Sequence, residues 1–106
     1  VAYGVAKAAT DKMAAGMAHE LRPHGVTVVS LYAGLVRAEA VLAAGVFDLS
    51  NSESPEFTGR TVAALAADAN ALRWTGRVLV AATLAKEYGV SDVDGRQPEA
   101  LTLNEV

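Results

Sequence analysis

Cysteine is absent from this 106-residue chain, proline occurs three times, histidine twice and tryptophan once. Without a thiol there is no disulfide framework, no thiolate nucleophile and no cysteine zinc site. His19 and His24 have no third ligand in reach, so they are expected to be solvated or capping groups and no metal centre is expected. No apolar run approaches the roughly 18 residues that a membrane span needs, and no basic segment leads into an apolar core as an export signal would. A cytoplasmic location without a membrane span is the resulting expectation. The net charge is −3 with Lys and Arg scattered, which gives no electrostatic reason to expect a nucleic acid partner. No internal repeat or low-complexity tract interrupts the chain. What is there is 52% apolar and 20% charged, ordinary globular material of the size of one small domain.

The first helix organises the rest. From Tyr3 to about Arg22 the residues are mostly Ala, Lys, Met, Glu and Leu, all strong helix formers. Val5, Ala9, Met13, Met17 and Leu21 recur every four positions, which predicts one buried stripe. The alanines between them let a sheet or a second helix come close. Tyr3 and Lys7 stand one turn apart on one face. An ammonium beside a phenol favours the phenolate, and the tyrosine becomes a usable acid or base. Helix spacing alone supplies such pairs commonly, so a surface tyrosine near a solvated lysine is the plainer reading of these two residues taken by themselves. Pro23 disfavours helix at Arg22, and Gly25 provides the exit.

Val26 to Leu31 is β-branched and nearly all apolar, the pattern of a parallel strand covered on both faces. Ala33-Gly34-Leu35-Val36 turns the chain at the carboxyl end of that strand, where open α/β sheets bind ligands. A loop from Arg37 to Ser50 follows, with a short helix expected over Glu39 to Ala44. Its Val41, Leu42, Val46 and Phe47 either line a pocket or pack on the sheet, with packing favoured. Asn51-Ser52-Glu53 is linker-like. Ser54-Pro55-Glu56 reads as N-cap, first helical residue and an acid at the positive helix end, which places a helix from Pro55 to about Asp68. Phe57, Thr61, Val62, Leu65 and Ala66 are its expected buried side, and Gly59 weakens it by about 1 kcal/mol unless a contact requires the missing side chain. Arg77 to Ala82 is expected as a second strand, parallel to the first through a right-handed connection. Leu84 to Tyr88 is expected as one helical turn and Asp94-Gly95 as a tight turn. Trp74 and Tyr88 read as packing anchors, and Asp92 and Asp94 as turn residues in place of a cation site.

Taken together, Tyr3-x-x-x-Lys7 opening an alanine-rich helix, the apolar strand, the Gly34 turn, the Pro-capped helix and the Gly-led second strand resemble the C-terminal half of a short-chain dehydrogenase/reductase. The tail Tyr88-Gly89-Val90-Ser91-Asp92-Val93-Asp94-Gly95-Arg96 is similar to the member-one subgroup of that family. The resemblance implies an α/β fold, the C-terminal part of a Rossmann-type doubly wound parallel sheet in the order helix, strand, helix, strand. It implies hydride transfer between NAD or NADP and a small carbonyl or alcohol substrate. Tyr3 and Lys7 take the catalytic and cofactor-binding positions, and Gly34 and Val36 the backbone that meets the nicotinamide carboxamide. Ala33 stands where the family usually has proline, which loosens the turn modestly. Ala38 stands where a cofactor-contacting threonine is common.

The family's Gly-rich phosphate turn, its ribose-reading residue and its catalytic Ser and Asn would all lie before Tyr3, which only two residues precede. Residues 1–106 are therefore expected to be the C-terminal portion of one dehydrogenase domain, inactive without its nucleotide-binding half. Two strands leave a sheet edge unpaired, so the missing half, or a second copy joined through helix faces, is the expected cover. The competing expectation is a non-catalytic, helix-mediated dimerisation module descended from a dehydrogenase, which Ala33 and Ala38 favour.

Overall fold

Alanine content decides how the first helix packs. The computed structural model describes residues 1–46 and 48–101, and α1 runs over Ala2–Leu21. Its buried residues are Ala14 and Ala18, not the expected stripe: Val5, Met13 and Met17 are exposed at 65%, 58% and 39%. The reason is close approach. A Cβ placed on Gly76 would lie 3.6 Å from the Ala18 Cβ, so this face has room only for the smallest side chains. Arg22 keeps helical angles, and the chain tightens into a 3-10 turn over Arg22–His24 that includes Pro23. Proline is well placed in such a first turn, where its missing N–H costs nothing. It is Gly25, at φ 71°, that stops the helix.

The strands are shorter than their apolar runs. β1 is Ser30–Tyr32 and β2 is Val78–Val80, and they pair in parallel, with Ser30 N–H donating to Arg77 C=O at 3.1 Å and Gly76 N–H to Val28 C=O at 2.8 Å. Ahead of β1 the Thr75 hydroxyl does the work of a neighbouring strand by accepting from Val28 N–H at 2.9 Å. Neither strand is covered on both faces. Residues 27–31 are half-buried, and β2 alternates, with Leu79 buried between exposed Val78 and Val80. Among the described residues each strand has one neighbour, so the burial expected of a central strand does not develop. A second 3-10 turn, Ala71–Trp74, leads into β2, and both Arg73 and Arg77 lie over the Trp74 ring, with guanidinium carbons 4.8 and 5.0 Å from its centroid.

The chain divides into two compact units, one of Val1–Tyr32 and Asp68–Leu79, the other of Ala33–Ala67 and the residues from Val80 onward. In the second unit α2 covers Glu39–Ala44, as the sequence predicts. Leu42 and Val46 are exposed at 53% and 77%, against the packing expected of them; the six-residue helix that carries Leu42 is too short to bury a face, and Val46 lies beyond its Gly45 cap. Phe47 lies outside the described residues. α3 spans Pro55–Ala67, and the Ser54 hydroxyl caps it by accepting from Phe57 N–H at 3.2 Å. Phe57 and Thr61 are fully buried, whereas Val62 and Ala66 face outward. The buried row follows i, i+4 from Phe57, and Val62 lies about 100° away from Thr61 around the helix.

Ala81 and Ala82, expected to finish the second strand, instead begin α4, which runs over Ala81–Tyr88. Ala81, Ala82, Leu84 and Ala85 form a buried face that packs on α3, and this tertiary contact suits alanine's helical preference. No helix among the described residues is long and apolar enough to cross a membrane. Nothing lies within 4 Å of a Cβ added to Gly59, so no contact requires the glycine. Gly59→Ala should therefore raise the unfolding free energy by about 1 kcal/mol in urea titrations of the full chain.

Candidate active site

On α1 the helical repeat brings Tyr3 and Lys7 together. The Lys7 Nζ lies 5.3 Å from the Tyr3 ring centroid, and Tyr3 is 76% exposed, so the phenol is open to a reactant. Asp11 continues the same row by one more turn. Its carboxylate accepts from the Ser30 hydroxyl at 2.5 Å and from the Tyr32 hydroxyl, both on β1. These two hydrogen bonds, with a smaller contribution from the Lys7 charge, outweigh desolvation and hold the Asp11 carboxyl below the usual carboxylate range. The same bond pushes the Tyr32 phenol up, with desolvation and the Asp11 charge adding to it. The two tyrosines have different surroundings: Tyr32 donates its hydroxyl to Asp11, while the Tyr3 ring has the Lys7 ammonium over it. Asp11 and Tyr32 were not among the expected site residues. The signal was present, since Asp11 is four positions beyond Lys7 and eight beyond Tyr3.

In the second unit Gly34 and Val36 are held by residues that read as a linker. Ser52, Glu53 and Ser54 are all buried, with Glu53 2% exposed. Val36 and Glu53 form a parallel bridge, in which Glu53 N–H donates to Leu35 C=O and Arg37 N–H donates to Glu53 C=O, each at 2.8 Å. This pattern turns the N–H and C=O of Val36 to the opposite side. Gly34 N–H donates to Glu53 Oε1 at 3.2 Å, and a Cβ on Gly34 would stand 2.7 Å from Glu53 Oε2. Glycine is needed here for space, since Gly34 does not have a positive φ. Burial raises the Glu53 carboxyl above its ordinary value; the Gly34 N–H offsets part of this and the nearby Asp92 charge adds to it.

Asp92 behaves oppositely. Its side chain is fully buried, and burial alone would push the carboxyl up. It is nonetheless held below the usual range by the Ser54 hydroxyl, by the N–H groups of Ser54 (2.8 Å) and Val93 (2.6 Å), and by the Arg37 guanidinium at 3.5 Å. Arg37 also donates to the Ser52 hydroxyl at 2.7 Å. Asp92 is thus a structural acceptor within a turn closed by Gly95 N–H on Asp92 C=O at 2.9 Å. Among the described residues no group of three or more His, Cys, Asp or Glu could hold a metal ion. A groove lined by Ala82, Thr83, Lys86, Glu87, Glu99 and Ala100 contains none of Tyr3, Lys7, Gly34 or Val36.

No protein-family model matches the chain. Two curated proteins are similar to it. "Dehydrogenase/reductase SDR family member 1" of Mus musculus is 47% identical over 110 aligned residues, which cover 91% of this chain and 35% of the mouse protein. The protein of the same name from Homo sapiens is 46% identical over the same shares of each chain. The chain thus spans little more than a third of the length of the relatives it matches.

Two consequences of the Glu53 geometry are measurable. Gly34→Ala should cost about 1–3 kcal/mol by overpacking, and in a Glu53→Ala background most of that cost should vanish, giving a coupling of about 1 kcal/mol or more in a double-mutant cycle. Because the folded Glu53 carboxyl titrates above its unfolded value, its favourable contribution is complete below the unfolded pKa of about 4.3 and is lost as pH rises through the folded one. Glu53→Gln, which keeps an acceptor for Gly34 N–H, should therefore melt higher than wild type at about pH 7 and lose that advantage near pH 4.

Proposed function

From a chain that resembles the short-chain dehydrogenases/reductases of the member-one type over 91% of its length, we propose the C-terminal part of an oxidoreductase acting on a small carbonyl or alcohol. The observation that carries this reading is the exposed Tyr3 phenol with the Lys7 ammonium over its ring. A nicotinamide cofactor, NAD or NADP, supplies or takes the hydride when bound. In the reducing direction Tyr3 gives its hydroxyl proton to the carbonyl oxygen as the carbonyl carbon gains hydride, and the product is the alcohol. In the oxidising direction the tyrosinate takes that proton back. Lys7 places a positive charge beside the ring that bears the developing phenolate, and its ammonium would hold the ribose hydroxyls of the cofactor.

The residues present fit such a cofactor by their donor chemistry. An exposed ammonium can take hydroxyl groups, and the Val36 N–H, turned away from the Glu53 bridge, can take a carboxamide oxygen. Gly34, whose missing side chain makes room for the Glu53 carboxylate, lets the turn close against Glu53 beside Val36. In this reading the pyrophosphate-binding half of the Rossmann-type sheet belongs to residues beyond this chain. The 106 residues alone are then inactive, and association with a second copy runs through helix faces in a cytoplasmic setting. A second reading, a non-catalytic interaction module, draws on the exposed Val5, Met13 and Met17 of α1.

The test uses the full-length protein. Tyr3→Phe should lower kcat by about 10²–10⁴-fold while NADH or NADPH binding stays within about twofold of wild type. Unchanged turnover would remove Tyr3 from the chemistry, and a stable dimer that binds neither cofactor would favour the interaction module.

A further inference from the structure

The tail motif Asp92 to Arg96 has no part in the proposed chemistry, yet it is tied to the segment that holds the Gly34 turn. Three stretches of chain lie side by side in the second unit. The Gly34–Arg37 stretch is bridged to Ser52–Ser54 through Glu53. Ser52–Ser54 is in turn gripped from the tail. Asp92 takes both the hydroxyl and the N–H of Ser54. The Arg96 guanidinium donates to Ser50 C=O at 2.7 Å, and the Asn51 side chain pairs with the Glu99 backbone in both directions, at 3.1 and 2.9 Å. Arg37 closes the circuit by reaching from the Gly34 stretch to Asp92 itself.

A surface tail that merely ended the fold would not need a fully buried carboxylate with three hydrogen-bond donors and a guanidinium on it. Burying a charge is costly unless every lone pair is met, so the arrangement has meaning only if it fixes something. What it fixes is the position of Glu53. The Ser54 backbone is held by Asp92, the Ser52 side chain by Arg37, and Glu53 lies between them.

We propose that the tail is a strap for the cofactor-side turn, with Asp92 a positioning residue that sets Glu53 and, through it, the Gly34–Val36 backbone that meets the nicotinamide carboxamide. The proposal rests on the oxidoreductase reading for the identity of what the turn meets, while the strap itself acts within this chain. Loss of the Asp92 carboxylate frees Ser54 and Arg37 together, and the turn opens locally. The peptide groups offered to the carboxamide are then no longer pre-placed, and binding bears the cost of ordering them.

The experiment is hydrogen–deuterium exchange on the full-length protein without cofactor, together with fluorescence titration of NADH and NADPH. Asp92→Asn is the first variant; Arg37→Gln, on a partly exposed residue, loosens the same circuit if Asp92→Asn does not fold. The expected result is faster exchange of the Gly34, Glu53 and Arg37 amides by about tenfold, with α4 amides unchanged. Cofactor Kd should rise about tenfold, with kcat at saturating cofactor within about twofold. A general loss of stability would speed exchange everywhere and leave the Kd of the folded fraction alone. Folded variants whose turn amides stay as protected as in wild type, or whose faster exchange leaves cofactor Kd unchanged, overturn the proposal. Wild-type protein that binds neither nucleotide overturns the oxidoreductase reading first, before any variant is compared.

Discussion

The parallel bridge between Val36 and Glu53 is the constraint around which the second unit is built. It joins two segments that have neither a helix nor a long strand to satisfy their backbones, one of them half-buried and the other, Ser52–Ser54, buried. Every peptide group brought there needs a partner. The bridge supplies Leu35 and Arg37 with theirs, the Glu53 carboxylate supplies Gly34, and the Ser54 hydroxyl turns from Asp92 to the first turn of α3. Two carboxylates are buried close together as a result, and their environments push them apart. Glu53 has one N–H donor and is raised; Asp92 is surrounded by donors and is lowered. Such divergence lets both occupy one small core without two full charges opposing each other.

The first unit solves a different problem, which is to hold a long helix against a narrow sheet. Ala14 and Ala18 give the close approach, and Asp11 gives it direction by bonding Ser30 and Tyr32 across the gap. Rotation of α1 about its axis would break both bonds at once. Tyr3 and Lys7 lie on the row that Asp11 anchors, so the orientation of the phenol and ammonium is inherited from a residue two turns away. The larger apolar side chains of the helix, Val5, Met13 and Met17, take no part in this contact.

Features decided within a few residues were legible in the sequence. Ser54-Pro55-Glu56 announces α3 because a cap, a fixed φ and a charge near the helix dipole act locally, and α2, which has no side-chain cap, also falls where the sequence predicts it, with Glu39 in its first turn. Features decided at long range were not. Ser52 and Glu53 look like a linker because their partners, Arg37 and Gly34, stand 15 and 19 residues away, and Asp92 is 38 positions from Ser54. The stripe through Val5 and Met13 followed the correct period but predicted the wrong face, since small side chains bury where backbones meet. Ala81-Ala82 reads as strand because an apolar run has no period of its own, and packing on α3 decides for helix. The Tyr3 and Lys7 pair is as close as helix geometry requires, while Asp11 was visible only as a spacing whose use depends on β1.

The chain has one tryptophan, and two guanidinium groups lie against its ring in the turn before β2. Its indole is therefore an optical probe tied to one address, the Ala71–Arg77 corner of the first unit. Emission that shifts on denaturation reports the release of those cations from the ring, whereas circular dichroism reports the helices of the whole chain. If the two signals part company, the corner around the indole does not melt in one all-or-none step with the helices.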